Sequence, residues 1–429
     1  MREQPRILQI EVTNRCNFDC RFCIRQVWNV KPLDFNLDLY KKLAKTAFPN
    51  LDKLILYGFG EPFVNPNLRE MVRVARRYLP KDGEILINTN GSLLESKVAD
   101  KLLTEIGVGS ISFSIDTIEA SKFEYIRRGS KPKAVWKNLH YVARIKDRVV
   151  EDFRLGVEIV MMRSNYSELP DLISKLAHEG VDYIVVSHLI PYSDELYGDI
   201  AYTTVSRRPF EIARSALKLR PYLILDATVD LLKTTYGFNH RSEASKILRK
   251  IWDEAEKEGY WINLPLIINS IDHFKFLSEV ERVLDKSLKI SREYGVELKI
   301  PKVYPESNMR ICPYIDKDAA FIRADGMVTP CLEFAYTHPE YINGHKKIVY
   351  EVVFGNVWRE NLNDIWCKDD YVSFRDVRRR ISETVPWCGD CPYSATGCFF
   401  VKTNETDCYI NRYGCNECLY SAGIAQCNI

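Results

Sequence analysis

The chain has 429 residues, with 60 Lys and Arg against 58 Asp and Glu, 46% apolar residues and 13 cysteines. At roughly 150 residues per domain it is long enough for two or three domains with real cores. A formal charge of +2 with interspersed signs excludes a general binder of nucleic acid or anionic membranes. No apolar run approaches the roughly 18 residues that a membrane span needs. The N-terminus, Met1-Arg2-Glu3-Gln4-Pro5-Arg6, enters a strand-like segment without a signal-peptide core. These features predict a cytoplasmic protein whose cysteines serve as thiolates rather than disulfides. Glutamine occurs only at positions 4, 9, 26 and 426 while 28% of residues are charged, a balance that fits a heat-adapted protein.

Short β-branched runs then alternate with segments of helical period. Strands are predicted at Ile7–Thr13, Lys53–Tyr57, Glu84–Asn88, Ser110–Ile115, Leu155–Met161 and Tyr183–Leu189, with helices over 36–47, 67–79, 93–106, 132–146 and 167–179. Six strands with five intervening helices predict an α/β fold with a parallel sheet and right-handed crossovers. Six repeats fall short of the eight of a closed barrel, so the expected architecture is a partial (βα)6 TIM-like barrel or an open sheet, with its chemistry at the C-terminal strand ends. Residues 195–305 break this rhythm: the charged helices Arg241–Glu258 and Ile271–Tyr294 read as an insertion or linker covering one face. From 306 onward the chain is rich in Cys, Gly, Pro and aromatics, which suits a small domain stapled by metal. The predicted units are therefore 1–194, 195–305 and 306–429.

The cysteines fall into two groups separated by 288 residues without one. In the first, Cys16-Asn17-Phe18-Asp19-Cys20-Arg21-Phe22-Cys23 directly follows the first strand and forms a loop at its C-terminal end. Three thiolates suit a soft metal centre. An iron–sulfur cluster of the 4Fe–4S type takes four ligands, so three local thiolates leave one iron open to a ligand that is not protein. Zinc, or a cluster that borrows a distant thiolate, is the alternative.

C-x3-C-x2-C after the first strand, with Phe22 before the last Cys, resembles the radical SAM superfamily. Gly58-Phe59-Gly60-Glu61-Pro62 at the end of the second strand is similar to the family's Gly-Glu-Pro segment, and Thr89-Asn90-Gly91 and Ser112-Phe113-Ser114-Ile115-Asp116 stand at the ends of the third and fourth. Singly, each is more often a turn or a helix cap; together they stand in register after successive strands. The resemblance implies that Cys16, Cys20 and Cys23 hold a 4Fe–4S cluster with an open iron. It implies that Phe22, Gly60, Glu61, Pro62, Asn90, Ser114 and Asp116 contact S-adenosylmethionine. It further implies that one electron, from a low-potential donor such as ferredoxin, cleaves a carbon–sulfur bond to give a 5′-deoxyadenosyl radical that abstracts hydrogen from a substrate.

The second group opens with Cys312, thirteen residues, Gly326, four residues and Cys331, with a hairpin signal at Asp325-Gly326 between Ala320-Phe321-Ile322-Arg323 and Met327-Val328-Thr329. Cys388, Cys391, Cys398, Cys408, Cys415, Cys418 and Cys427 follow. The opening pair resembles the SPASM extension of radical SAM maturases, which implies one or two auxiliary 4Fe–4S clusters. The later spacing departs from the usual C-x2-C-x5-C-x3-C, with two longer gaps and an additional CxxC, so the ligand sets stay open. Nine thiols are available where eight would fill two clusters, and zinc is the other reading of the two CxxC pairs. Cys367 lies outside any pair and reads as a core or surface thiol.

Leu189-Ile190-Pro191-Tyr192-Ser193-Asp194-Glu195, Phe354-Gly355-Asn356-Val357, Asp407-Cys408-Tyr409 and the stretch Cys415 to Ile424 together look like maturases associated with tungsten-cofactor oxidoreductases of the aldehyde:ferredoxin type. That resemblance implies maturation of a protein, peptide or cofactor, with a tungsten oxidoreductase as partner. A peptide- or sulfatase-modifying maturase is the enzymatic alternative. An iron–sulfur scaffold or electron carrier is the non-enzymatic one, and it leaves the strand-end Gly-Glu-Pro and Thr-Asn-Gly segments unexplained. Glu158 in the fifth strand and His188 in the sixth bind substrate or pass a proton if they point inward, and are hydrogen-bonded strand polars otherwise. Arg127-Arg128 and Arg378-Arg379-Arg380 read as solvated helix faces that an acidic redox partner could meet.

Overall fold

A computed structural model describes residues 3–103, 107–146, 153–214, 243–394 and 397–429. The six expected strands form where the β-branched runs lie: β1 (Ile7–Ile10), β2 (Lys53–Ile55), β3 (Glu84–Thr89), β4 (Ser110–Ser114), β5 (Arg154–Met161) and β6 (Tyr183–His188). All neighbours pair in parallel. Side chains on both faces of β1 are buried, Leu8 and Ile10 on one and Gln9 on the other, as a parallel sheet covered on both sides requires.

The helices between them bury one stripe each. In α1 (Leu37–Ala47) the Asn36 side chain accepts from the backbone of Asp38 and Leu39, both at 3.0 Å, and Tyr40, Leu43, Ala44 and Ala47 face the core. The helices α2 (Leu68–Tyr78), α3 (Ser96–Leu103), α5 (Pro132–Ile145) and α6 (Leu169–His178) follow the expected spans; residues 104–106, the end of the predicted third helix, lie outside the described residues. A short helix that the sequence reading passed over, α4 (Ala120–Ile126), precedes α5 and buries Phe123 and Ile126.

The sheet is wider than six strands. In β7 (Glu297–Lys299) a three-residue strand pairs in parallel with β6, and β8 (Ala319–Ile322) pairs in parallel with β1. Then β9 (Met327–Thr329) returns antiparallel on β8, and β12 (Gly355–Asn356) joins it; the pair β10 (His338–Ile342) and β11 (His345–Val349) stands apart. The order β12-β9-β8-β1-β2-β3-β4-β5-β6-β7 is an open sheet with two free edges. The expected Asp325-Gly326 hairpin thus forms and extends the N-terminal sheet rather than standing in a separate body. Gly326 sits at φ +81, where a Cβ would lie 2.5 Å from Trp358 Nε1.

Residues 195–305 carry the expected helices, at Glu243–Lys257 and Ile271–Glu293; positions 241–242 lie outside the described residues. The longer helix packs on α6, and its Phe276 meets Tyr166 edge-on at 5.0 Å. β7 falls inside the span expected to be helical and follows that helix directly. Its alternation of Val296, Leu298 and Ile300 with Glu297 and Lys299 spans too few residues to stand out. Among the described residues no helix is long and apolar enough to cross a membrane.

Candidate functional site

The loop carrying Cys16, Cys20 and Cys23 is held from two sides. Thr13 Oγ1 donates to Asp34 at 2.6 Å, Asn14 Nδ2 to the Lys31 carbonyl at 2.9 Å, and Arg15 Nε to Asp34 at 2.9 Å, which ties its start to residues 31–34. Its middle is tied to the end of α4: Asp19 N donates to the Arg128 carbonyl at 2.8 Å, and Arg21 N to that of Ile126 at 3.0 Å. The three thiols face one cavity of about 270 Å³ whose walls are the ends of β2 to β6. Burial pushes all three thiols up, Cys20 to about 12 and Cys23 to about 11.

Two cations counter this cost, Arg25 at Cys16 and Cys23 and Arg127 at Cys20 and Cys23. The Arg127 guanidinium is buried, donates to both oxygens of Asp116 at 2.7 and 3.0 Å, lies over the Phe22 ring at 5.3 Å, and lines the cavity beside the thiols. Asp116 holds it charged in spite of burial. The expectation of a solvated Arg127 is therefore corrected; only Arg128 of that pair is exposed. The apolar spacing of Phe123 and Ile126 was the sequence signal for α4, and α4 is what turns Arg127 inward. Similarly, Arg378 is buried over the Phe374 ring at 3.8 Å, while Arg379 and Arg380 are exposed.

The strand-end residues divide between lining the cavity and building it. Gly60, Glu61, Asn90 and Ser114 line it, as do Phe22, Glu158 and His188. Pro62 starts a short 3₁₀ turn behind the wall, and Asp116 is spent on Arg127 and on the Val160 N–H at 2.9 Å, so neither reaches the cavity. Gly60 is needed for chain contact: a Cβ there would lie 2.2 Å from the Thr13 carbonyl, and the Glu61 N–H donates to the Arg15 carbonyl at 2.8 Å. The Glu61 carboxylate accepts from Thr89 Oγ1 and the Asn90 N–H, both at 2.6 Å, and burial raises it to about 7. Asn90 in turn donates to Asn17 at 2.9 Å. The Gly-Glu-Pro and Thr-Asn-Gly segments thus lock the ends of β2 and β3 to the thiol loop.

On the opposite wall, Glu158 accepts from Asn88 Nδ2 at 2.6 Å and from Asn428 Nδ2 at 3.1 Å, and enclosure raises it to about 7. Burial drives the His188 imidazole down to about 3, so it is neutral; the nearby Lys302 backbone opposes this slightly. The C-terminal tail closes this side. The His188 N–H donates to the Ile424 carbonyl at 3.3 Å and the Gln426 N–H to Ser187 Oγ at 3.0 Å, and Cys427 lines the cavity.

The other thiols separate into two sets. Cys312, Cys331, Cys415 and Cys418 surround one small cavity with Phe334, Phe374 and Ile381. On the wall of the same cavity Glu417, fully buried, accepts from Lys347 Nζ at 3.2 Å and Asn343 Nδ2 at 2.7 Å. Burial opposes its charge, yet Lys347 and His345 hold its carboxyl below the usual range. Nearer the surface, burial raises Cys388, Cys391 and Cys408, and Cys391 and Cys398 lie close enough to add to this at their neighbours. Asn416 Nδ2 reaches Cys388 Sγ at 3.1 Å. Cys367 is an exposed thiol on the Glu3 carbonyl. All thirteen cysteines are free of disulfides. Among the described residues no three Cys, His, Asp or Glu converge tightly enough for a single ion, whereas zinc sits about 2.3 Å from each thiolate. Four thiols around one cavity make the ligand set that a 4Fe–4S cluster takes.

Three thiols on a strand-end loop, open to a cavity ringed by parallel strand ends, define an α/β enzyme built around a soft metal centre. Comparison with known proteins makes this specific: the Radical SAM superfamily model matches residues 10–176, and that of an iron–sulfur cluster-binding domain, SPASM, matches 312–392. Residues 10–176 thus form a radical SAM domain. The chain is an enzyme that binds a 4Fe–4S cluster and S-adenosylmethionine, with auxiliary iron–sulfur in its SPASM region. It is 29% identical over 428 residues, 98% of this chain and 97% of the relative, to a Pyrococcus furiosus protein named tungsten-containing aldehyde ferredoxin oxidoreductase cofactor-modifying protein. Its fold is similar to that of Streptococcus suis SuiB bound to S-adenosylmethionine (TM-score 0.55, 14% identity, 95% of this chain and 74% of that one) and to SuiB bound to its precursor peptide SuiA (TM-score 0.54, 12% identity, 92% and 72%).

Proposed function

We propose that this enzyme modifies the cofactor of a tungsten-containing oxidoreductase, with Cys16, Cys20 and Cys23 as the ligands of its S-adenosylmethionine-binding cluster. The end-to-end match to the Pyrococcus furiosus cofactor-modifying protein carries this reading, because it spans both cysteine regions and the linker between them. The donor set supports it. Three thiols raised by burial, with the Arg25 and Arg127 guanidiniums beside them, are poor thiolates alone and good ones around an iron–sulfur core. When bound, that core supplies one-electron cleavage of S-adenosylmethionine to a 5′-deoxyadenosyl radical.

The chain's own residues orient and enclose. Glu61 and Asn90 fix the loop so that its open side faces the cavity. Gly60, Asn90 and Ser114 offer backbone and polar side-chain contacts for the methionine and sugar ends, and Leu332, Tyr420 and the tail keep water out. The two four-thiol sets, Cys312/Cys331/Cys415/Cys418 and Cys388/Cys391/Cys398/Cys408, would each hold an auxiliary cluster. The outer set lies near the surface beside the exposed Phe399, Tyr409 and Ile410, where a low-potential donor such as ferredoxin would dock. Free thiols throughout fit work in the reducing cytoplasm.

The test supplies loaded enzyme, dithionite and S-adenosylmethionine to a tungsten oxidoreductase made in cells lacking this enzyme. A mass change in the extracted cofactor, with one 5′-deoxyadenosine per event, is expected. An unchanged cofactor together with a mass shift in a peptide encoded beside the gene would replace this reading with the peptide maturase.

A further inference from the structure

Eight of the nine C-terminal thiols outside Cys367 are accounted for by the two sets above, and Cys427 is left over. It does not line the cavity shared by Cys312, Cys331, Cys415 and Cys418. It lines the large cavity instead, facing the same space as Cys16, Cys20 and Cys23. Cys427 is near enough to Cys312 to add to the rise of that thiol, yet the residues on either side of it are fixed to the parallel sheet. Gln426 is bound to Ser187 at 3.0 Å, Asn428 to Glu158 at 3.1 Å, and the Cys427 carbonyl accepts from Lys299 Nζ at 3.2 Å. Both chain neighbours are thus anchored on the ends of β5 and β6, which sets the thiol on the wall opposite the cluster loop.

A second feature of that wall points to a ligand. His188 is 2% exposed and lines the same cavity, and among the described residues neither ring nitrogen makes a hydrogen bond of full geometry, the Lys302 backbone being only a weak partner. A buried imidazole whose nitrogens lack full hydrogen bonds is costly unless something fills the space beside it. Among the described residues the cations bordering the cavity are each engaged, Lys299 with the Cys427 carbonyl at 3.2 Å. Arg127 is committed to Asp116, and Arg25, at the cluster-loop end, donates to the Phe18 carbonyl at 3.1 Å. An anionic group would meet Glu158, whose charge Arg127 and Lys53 only partly offset against burial.

We propose that Cys427 is a substrate-facing thiol rather than a cluster ligand, and that with His188 and Glu158 it forms the end of the cavity that receives an uncharged, hydrogen-bonding group of the substrate. This rests on the radical SAM reading of the cavity and goes beyond it by assigning the wall across from the cluster. A neutral imidazole offers one donor and one acceptor, and the thiol sits beside them within reach of the same guest.

The experiment uses the full chain loaded with iron and sulfide. Cys427→Ser should retain wild-type iron and sulfide and an unchanged electron paramagnetic resonance spectrum, whereas Cys331→Ser should lose about four irons. In loaded wild type, iodoacetamide should alkylate Cys367 and Cys427, and S-adenosylmethionine should slow labelling of Cys427 about tenfold while leaving Cys367 unaffected. Neutral iodoacetamide should also outpace anionic iodoacetate at Cys427 by about tenfold more than at the exposed Cys367. Loss of about four irons in Cys427→Ser, or a Cys427 that resists alkylation without S-adenosylmethionine, would make it a ligand and overturn the proposal. Labelling indifferent to S-adenosylmethionine or to reagent charge would overturn it as well. Failure of the underlying reading shows separately, as loaded wild type that forms no 5′-deoxyadenosine.

Discussion

The two thiol regions solve opposite problems with the same ligand. In the N-terminal loop three cysteines fall within eight residues on one strand end, and the fourth side is an open cavity. In the C-terminal region the four thiols of one set come from positions 312, 331, 415 and 418 and close around a small cavity packed by Phe334, Phe374 and Ile381. Local spacing with an open side leaves a coordination position for a guest. Long-range convergence of four thiols would give a centre with a full ligand count, closed to a guest, that also fastens distant segments together. The electrostatic supports differ in the same way: a buried cation, Arg127, faces the open thiols, whereas a buried anion, Glu417, with Lys347 lines the cavity of the closed set.

The largest expected effect separates the two regions outright. Replacing Cys16, Cys20 or Cys23 by Ala should abolish formation of 5′-deoxyadenosine and remove about four irons per chain, while the remaining iron stays with the C-terminal sets. Iron analysis beside product assay checks this, and residual product in any of the three variants would contradict it.

Next come the two buried ion pairs. Arg127→Met leaves Asp116 uncompensated in the core, and Lys347→Met does the same to Glu417. Each should cost about 3–5 kcal/mol in chemical denaturation. The comparison predicts that they part in function: Arg127→Met depletes the iron held by the N-terminal loop, and Lys347→Met depletes that of the C-terminal sets. Equal depletion of both by either variant would show that the regions are not independent.

A smaller effect depends on pH. Glu11 bridges the regions, accepting from the Phe59 N–H at 3.1 Å, the Ala324 N–H at 3.2 Å and the Tyr336 hydroxyl, and burial raises it from 4.5 to about 7. Between these values the unfolded chain has released a proton that the folded chain keeps, so stability falls as pH rises through this window. The contribution of Glu11 to that fall is up to about 3 kcal/mol. In Glu11→Gln the pH 5 to pH 8 difference in unfolding free energy should shrink by that order; an unchanged difference would remove Glu11 from the account. The smallest effect belongs to the exposed partner of the Arg21–Glu195 pair: Glu195→Gln should shift stability by less than about 1 kcal/mol, readable as a shift of a few degrees or less in Tm.

Much of the N-terminal region was legible because its signals are local. Alternating periods placed all six strands, and the Cys spacing lay directly after the first of them. What escaped the sequence reading depends on long-range placement. The strand β7 is three residues long and polar on alternate positions, and β8 joins the sheet beside β1 across some three hundred residues. The inward turn of Arg127 needs α4, whose seven residues carry only two buried apolar positions. Gly60, expected at the S-adenosylmethionine site, lines the cavity and also makes room for the Thr13 carbonyl, a packing role that its sequence context does not show. The C-terminal thiols could be counted but not sorted, since Cys415 and Cys418 belong with Cys312 and Cys331 only once the chain has folded. Cys427 was grouped with the ligands by its residue type, and its place on the cavity wall follows from the anchors at Ser187 and Glu158.

The central claim, that only the three-thiol centre is open, is tested most directly by electron paramagnetic resonance of the reduced, loaded enzyme with and without S-adenosylmethionine. The account predicts that S-adenosylmethionine alters a single cluster signal and that this signal is the one missing from Cys20→Ala. A change in signals that persist in Cys20→Ala would place the open position elsewhere and contradict it.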